Sequence, residues 1–272
     1  MPFLLDDVTR CAHILWPLDG AEDWDAPGLS CGDPIQPVHR VHLAVDAVAA
    51  TVDEAIGVGA DLLLTHHPLL LRGVTSVAED HYKGALISRL IRAGCALLSA
   101  HTNADVVSGG VSDILAKRLQ LQHTVPIAER AAPGTGIGRV GHLAEPTTLG
   151  HLAHTLLALL PSTASGVRVS GDYSAPIHTV ALCGGAGDSL LRLPKVLESD
   201  VYITSDLRHH PAAEAREQAL CAGGPALIDV SHWASEWLWL EPAAAQLRAA
   251  LPGLVVTVSE LNTDPWSFAV VQ

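Results

Sequence analysis

The sequence predicts an α/β protein of two related halves. Each half is a mostly parallel mixed sheet flanked by helices, with a metal site at the carboxyl ends of the strands, between the halves. Three observations predict this. Short apolar runs rich in β-branched residues alternate with segments of helical spacing along the 272 residues. Four of these runs end in a polar turn carrying His, Asp or Glu: His66-His67, His101 with Asp105, His209-His210, and His232 with Glu236. The tripeptide His-His-Pro stands at 66–68 and again at 209–211, each time just beyond an apolar strand, which hints at duplication.

The elements follow in order. Residues 41–45 (VHLAV) make a short β-branched strand. A helix is predicted over 51–59, with Thr51 and Glu54 in the S/T-x-x-E capping arrangement and Gly59 as the residue that closes it. A buried strand at 62–64 leads into Thr65-His66-His67-Pro68, so residues 41–64 read as a βαβ unit with parallel pairing. A helix over 83–93 ends at Gly94, a strand covers 96–99, and a helix covers 111–119. The pattern lapses at 131–138 (AAPGTGIG), as in a linker. A second series then has a helix at 148–160 and strands at 167–170, 179–183 and 201–204. A helix from 212, a strand at 226–230, a helix to 250 and a strand at 255–258 complete it. The expected halves are 1–125 and 135–272, with the last strand free to pack back on the first half.

Composition narrows the class. Apolar residues make up 49% and charged residues 17%, which excludes a disordered chain. A net charge of −13 argues against general binding to nucleic acid or to a membrane surface. The five cysteines form no C-x-x-C pair, so a disulfide framework or zinc ribbon is not expected and a reducing compartment is. The first ten residues lack the basic start of a secretory signal, and no apolar run approaches the ~20 residues of a membrane span. A cytoplasmic protein is expected.

The polar turns are where chemistry should sit, because open α/β sheets bind ligands beyond the carboxyl ends of their strands. Imidazole and carboxylate suit a borderline divalent metal. His232 and Glu236, four apart, share one face at a helix start. As neighbours at a strand end, His66 and His67 should point to opposite sides and serve two adjacent ions, with Pro68 holding His67 extended. Asp105 is either a carboxylate ligand or a turn residue, and His101 either a ligand or a group that orients one. His209 and His210 are either site residues or part of a capping turn. Three His and two carboxylates fit two metals with open positions better than one closed zinc. The Gly184-Gly185-Ala186-Gly187 turn lacks the G-x-G-x-x-G pattern and reads as a loop needing backbone freedom. Ser205 and Ser231 lack a G-x-S-x-G elbow, and Trp233 with Trp237 reads as core or subunit interface.

These segments resemble the Nif-three-like proteins, dinuclear metal-centre hexamers often labelled GTP cyclohydrolase I type 2. The match covers Asp53-Glu54-Ala55-Ile56 and Asp61 through His66-His67-Pro68-Leu69. It continues at Ser99-Ala100-His101-Thr102-Asn103-Ala104-Asp105, Ser205-Asp206-Leu207-Arg208-His209-His210 and Asp229-Val230-Ser231-His232 with Glu236. Trp24-Asp25-Ala26-Pro27-Gly28-Leu29 is similar to the family's Asp-Asn-x-Gly-Leu turn but has Ala26 where Asn is usual. The resemblance implies two divalent ions per subunit, with His66, His67, Asp105, His232 and Glu236 as ligands and Glu236 as the bridge; the imidazole and carboxylate donors leave Zn, Fe, Mn or Co open as the ion. It also implies a homohexamer, and the short gap between Leu121 and Gly138 implies the compact form without an inserted domain.

The first functional expectation is a metal-dependent hydrolase that presents a metal-bound hydroxide to its substrate; the resemblance implies a cyclohydrolase type that opens the base of a purine nucleotide. His101 or His210 would be the general acid/base. Arg208 is either a phosphate contact or a solvated charge at a helix start. The alternatives are a non-catalytic metal-binding or regulatory hexamer and a two-metal phosphoesterase. The expected partner is a small-molecule substrate, a nucleotide by the resemblance.

Overall fold

The computed structural model describes residues 2–270; Met1, at the head of the N-terminal stretch considered above, and residues 271–272 lie outside it. The chain divides into two compact units, Met1–Ala104 with Leu240–Thr263, and Asp105–Trp239 with Asp264–Gln272.

In the first unit, β1 (Phe3–Leu4) runs directly into α1 (Leu5–Leu15), which buries Leu5, Val8 and Ala12 along one stripe and places Asp6 and Asp7 in its first turn. Acidic groups there favour the positive end of the helix dipole. Next come β2 (Gly28–Cys31), β3 (Pro37–Val38) and β4 (Arg40–Ala44). The helix predicted from Thr51 starts earlier, as α2 (Ala49–Gly57), because Thr51 caps from inside the first turn. Its hydroxyl accepts from the Val48 N–H at 3.1 Å. Gly59 does sit beyond the helix end, with φ +67°. Then follow β5 (Leu62–Thr65), α3 (Tyr82–Ala93) with Gly94 left-handed at its cap, and β6 (Ala96–Ser99). All four residues of β5 and of β6 are buried, the mark of strands covered on both faces. Val52 and Ala55 of α2 and Leu86 and Leu90 of α3 pack with Leu63 and Leu97 on one of those faces. Fully burying a leucine such as Leu90 contributes about 1.5–3 kcal/mol.

The single turn α4 (Thr102–Asp105) leads to α5 (Val111–Arg118), then β7 (Gln122–Val125), β8 (Ala128–Glu129), β9 (Gly136–Ile137) and β10 (Arg139–Thr148). The linker expected at 131–138 holds the tip and the second strand of the short hairpin that pairs β8 with β9. Helix α6 (Leu149–Leu159) opens on Thr148, whose hydroxyl accepts from the His151 N–H. Strand β11 (Arg168–Ser170) and strand β12 (Pro176–Ala186) follow. The glycine turn expected after 183 is instead the end of β12, bulged against its neighbour, with Gly185 at φ +71°. Then come α7 (Pro194–Leu197), β13 (Val201–Ser205), α8 (His209–Ala222), β14 (Ala226–Val230), α9 (His232–Ala250) and β15 (Val255–Val258).

The first unit's sheet has the order β15-β4-β5-β6-β2, parallel except for β2. The last strand, β15, pairs parallel with β4. The second unit's sheet is mixed, in the order β11-β14-β13-β12-β10-β7, with only β12, β13 and β14 mutually parallel. The protein is thus α/β, with mostly parallel or mixed sheets flanked by helices.

Each unit contains the same three-stranded parallel core, and one aspartate marks the equivalence. Asp61 Oδ2, just before β5, accepts from the N–H groups of His39 and Arg40 at 2.7 and 2.9 Å. Asp200 Oδ2, just before β13, accepts from His178 and Thr179 at 2.8 and 2.7 Å. Backbone bonds repeat as well: Asp61 N–H to Arg40 O and Ala96 N–H to Asp61 O match Asp200 N–H to Thr179 O and Ala226 N–H to Asp200 O. In this register His66-His67 correspond to Ser205-Asp206, and His101-Thr102 to Ser231-His232. The two His-His-Pro tripeptides do not correspond. His66-His67 follow β5 directly, whereas His209-His210-Pro211 form the first turn of α8. The halves are related in architecture, but through Asp61 and Asp200 rather than through the tripeptide.

Candidate metal centre

In the first unit, the ends of β5 and β6 bring three imidazoles together. One ring nitrogen each from His66, His67 and His101 lies within 4.8 Å of the other two. The ring centroids are 5.1 Å apart for His66 and His67, 5.2 Å for His66 and His101, and 5.4 Å for His67 and His101. The alternation of an extended strand would send His66 and His67 to opposite sides. The strand ends at Thr65, so that rule no longer applies and both rings gather at one place.

Each ring is oriented through Nδ1. His66 Nδ1 lies 2.8 Å from Ala100 O, His67 Nδ1 2.7 Å from Asp46 Oδ1, and His101 Nδ1 2.7 Å from Asp25 Oδ1. A carbonyl or carboxylate only accepts, so in a neutral ring Nδ1 carries the proton and the lone pair lies on Nε2. Asp46 is itself held by the Thr263 hydroxyl. Burial opposes charge on Asp25, but donors from His101, Thr102 and Ala26 outweigh it and bring its pKa to about 2. None of these carboxylates was singled out from the sequence as a partner. Asp25 lies 76 residues from His101, and Asp46 lies 21 from His67. The one sequence signal was the turn around Trp24-Asp25.

In the second unit, α9 begins at His232 and so places His232 and Glu236 one turn apart on the face beside the end of β12. His232 Nε2 lies 2.9 Å from Glu236 Oε1, and His232 Nδ1 lies 2.7 Å from Asp206 Oδ2. Burial opposes a charge on His232, yet Glu236 and Asp206 outweigh it and hold its pKa well above the usual imidazole range. A positive charge between His232 Nε2 and Glu236 is therefore already favoured, and there a metal would replace a proton. The backbone keeps this place open. A Cβ added at Gly185 would stand 2.5 Å from Glu236 Oε1 and 3.3 Å from His232 Nε2. Asp105 belongs to the same unit and acts electrostatically, with Glu236, on buried Cys183. Burial first, then Asp105, push the Cys183 thiol up to about 12, so it contributes no thiolate.

The donor set in both units is therefore imidazole and carboxylate, which suits Zn²⁺, Fe²⁺, Mn²⁺ or Co²⁺. Gly185→Ala is expected to weaken metal binding tenfold or more, in the range of an outer-shell disruption. The strain of φ +71° adds a cost of about 1–2 kcal/mol. Isothermal titration with Zn²⁺ and a melting curve would measure the two effects separately.

The other candidates, Arg208, His209 and His210, belong to the second unit. His209 and His210 are exposed, and His210 lines a cleft of about 1000 Å³ with Asp188, Arg192 and Glu214. Arg208 pairs with Asp188 at 2.8 Å and is 77% exposed, as a solvated charge at a helix start would be.

Residues 3–265 match the family model described as Duf34/NIF3 (NGG1p interacting factor 3). The chain belongs to this family. A Duf34/NIF3 relative from Streptomyces coelicolor, named GTP cyclohydrolase 1 type 2 homolog, is 47% identical over 97% of this chain and 93% of its own length. A Mycobacterium leprae protein of the same name is 35% identical over 97% of this chain and 95% of its own. That alignment runs over 371 positions against the 272 residues here, so the relative carries segments this Duf34/NIF3 chain lacks. Among solved structures, a Bacillus cereus protein related to NIF3 shares the fold at TM-score 0.90 and 23% identity, covering 99% of this chain and all of its own. A Staphylococcus aureus hypothetical protein does so at TM-score 0.87 and 26% identity, with the same coverage.

Proposed function

We propose that this chain is a dinuclear, divalent-metal-dependent hydrolase. The ligands in this reading are His66, His67, Asp105, His232 and Glu236, with Glu236 as the bridge and His101 as general acid/base. The observation that carries it is the convergence of His66, His67 and His101 with Nδ1 of each ring already occupied. The proton-like place between His232 and Glu236 supports it. Two ions held there would supply water acidified to near-neutral pKa and a Lewis acid for the substrate oxygen. The chain's part is to fix the ligand tautomers through Ala100, Asp46 and Asp206, and to move protons at His101 Nε2.

The relatives' name points to a purine nucleotide as substrate and to opening of its base. Among the described residues no helix is long and apolar enough to cross a membrane. We place the protein in the cytoplasm as a homohexamer, with Zn, Fe, Mn or Co as the ion. The test is turnover by metal-loaded protein on GTP, other nucleotides and phosphoesters. Ring opening supports the cyclohydrolase reading. Release of phosphate or a nucleoside without ring opening makes the protein a phosphoesterase. Tight metal binding with no turnover across the panel makes it a metal-binding or regulatory assembly.

A further inference from the structure

We propose that Ser235 is a positioning residue for the metal centre. Its hydroxyl pins the bulged end of β12 at a fixed distance from His232 and Glu236, and so keeps the place beside those two side chains the right size for an ion. The inference rests on the metal-binding reading above.

The bulge creates the need. Strand β12 takes four steps, Leu182 to Ala186, where its parallel neighbour β13 takes two, Ile203 to Ser205. Backbone groups within such a bulge lose their ladder partners, and buried ones must find others. Side chains supply them here. The Gly184 N–H donates to Ser112 Oγ at 3.1 Å, the Gly185 N–H donates to Ser235 Oγ at 3.0 Å, and the Thr204 hydroxyl donates to Gly185 O at 3.1 Å. All three side chains are buried, that of Ser235 completely.

Ser235 differs from the other two in what stands behind it. It lies in the first turn of α9, between His232 and Glu236 in sequence, and its hydroxyl proton goes to His232 O at 2.8 Å. Ser205 Oγ lies 3.5 Å from the same oxygen. One oxygen therefore ties the bulge to the turn that carries both candidate ligands. Without the hydroxyl, the Gly185 N–H is left buried with no acceptor, which costs more than a hydrogen bond exchanged with water. The bulge must then shift to find another partner. Because a Cβ at Gly185 would stand only 2.5 Å from Glu236 Oε1, even a small shift of this backbone changes the space at that oxygen.

The test is isothermal titration of full-length protein with Zn²⁺, paired with melting curves and with visible spectra of the Co²⁺-loaded protein. The chains compared are native, Ser235→Ala, Ser235→Thr and Ser199→Ala. Ser199 is the control, a buried serine of the same unit whose hydroxyl donates to Lys195 O at 2.7 Å. Ser235→Ala is expected to weaken at least one Zn²⁺ binding step by about 10- to 100-fold, the range for outer partners of metal ligands, and to alter the Co²⁺ spectrum. Ser235→Thr keeps the hydroxyl and is expected to restore both. Ser199→Ala should melt lower yet bind Zn²⁺ as native protein does. Native affinities in Ser235→Ala overturn the proposal, as do an equal loss in Ser199→Ala and a Ser235→Thr protein no better than Ser235→Ala. Should the Ser235 variants fail to fold, hydrogen exchange on native protein decides. The Gly185 amide is expected to exchange slowly, and rapid exchange overturns the proposal. A native chain that binds no Zn²⁺ overturns the metal reading and this inference with it, whereas native binding that Ser235→Ala leaves unchanged overturns this inference alone.

Discussion

Metal-loaded protein carrying His66→Ala or Glu236→Ala is expected to lose turnover by on the order of 10³-fold. Metal stabilisation of a transition state supplies several kcal/mol, and each ~1.4 kcal/mol is tenfold in rate. The two substitutions act on different units, so the same loss from both would tie the two halves to one reaction. Glu236 is 3% exposed and His66 fully buried, so each replacement also leaves a space in a packed region. A melting curve separates that effect from lost chemistry. Steady-state rates on the best substrate of the panel, with bound metal measured on the same samples, make the test. A variant that retained native turnover would remove its residue from the site.

The second large effect is on stability. Asp113→Ala is expected to cost about 3–5 kcal/mol, because it leaves a buried guanidinium without its counter-charge. Arg139 is 3% exposed and donates to Gly136 O and Gly138 O at 2.7 Å and to Val107 O at 3.0 Å, with Asp113 Oδ1 at 3.4 Å. Asp113 Oδ2 accepts from the Gly109 N–H at 2.6 Å and meets Lys117 at 2.8 Å. The pair thus ties the 107–113 segment, which follows Asp105, to β9 and β10. Burial opposes charge on Asp113, but Lys117, the Gly109 N–H and Arg139 outweigh it and hold its carboxyl below the ordinary range. A depressed folded pKa stabilises the protein above the unfolded value near 4 and is lost as pH falls through the folded value. Denaturant midpoints of native protein should therefore fall as pH drops below about 4, and those of Asp113→Ala should fall less steeply. Equal slopes would contradict this assignment.

The parts of the fold that read clearly were those with strong local signals. The strands at 62–64, 96–99 and 226–230 are short, apolar and bounded by turn residues, and the helix over 83–93 is closed by Gly94. Sheet order did not read locally, because strand pairing depends on contacts remote in sequence. Thus β2 on its edge and the antiparallel β10 with β7 are visible only in the fold. Gly184 and Gly185 read as a loop because glycine usually marks one. In the fold they are strand residues kept small by Val111 and Glu236. The His-His-Pro repeat suggested duplication for a reason that does not hold, since the two tripeptides occupy different positions in the repeated core. The true marker, Asp61 with Asp200, has no sequence motif. It is recognisable only through the backbone N–H groups it accepts.

For the site, the histidines were legible from their place after apolar strands, and His232 and Glu236 from their spacing. The carboxylates that set the tautomers were not. Asp25, Asp46 and Asp206 resemble any surface aspartate until the fold brings each to an Nδ1.

The central claim is that the residues around His66-His67 and His232-Glu236 hold a pair of divalent ions. Elemental analysis of the purified chain tests it most directly, performed as isolated and again after chelation and reloading with Zn²⁺ or Mn²⁺. The account predicts about two equivalents per chain, as in two-metal hydrolases, falling to one or fewer in Glu236→Ala. A native chain that retains no metal in either preparation would contradict it.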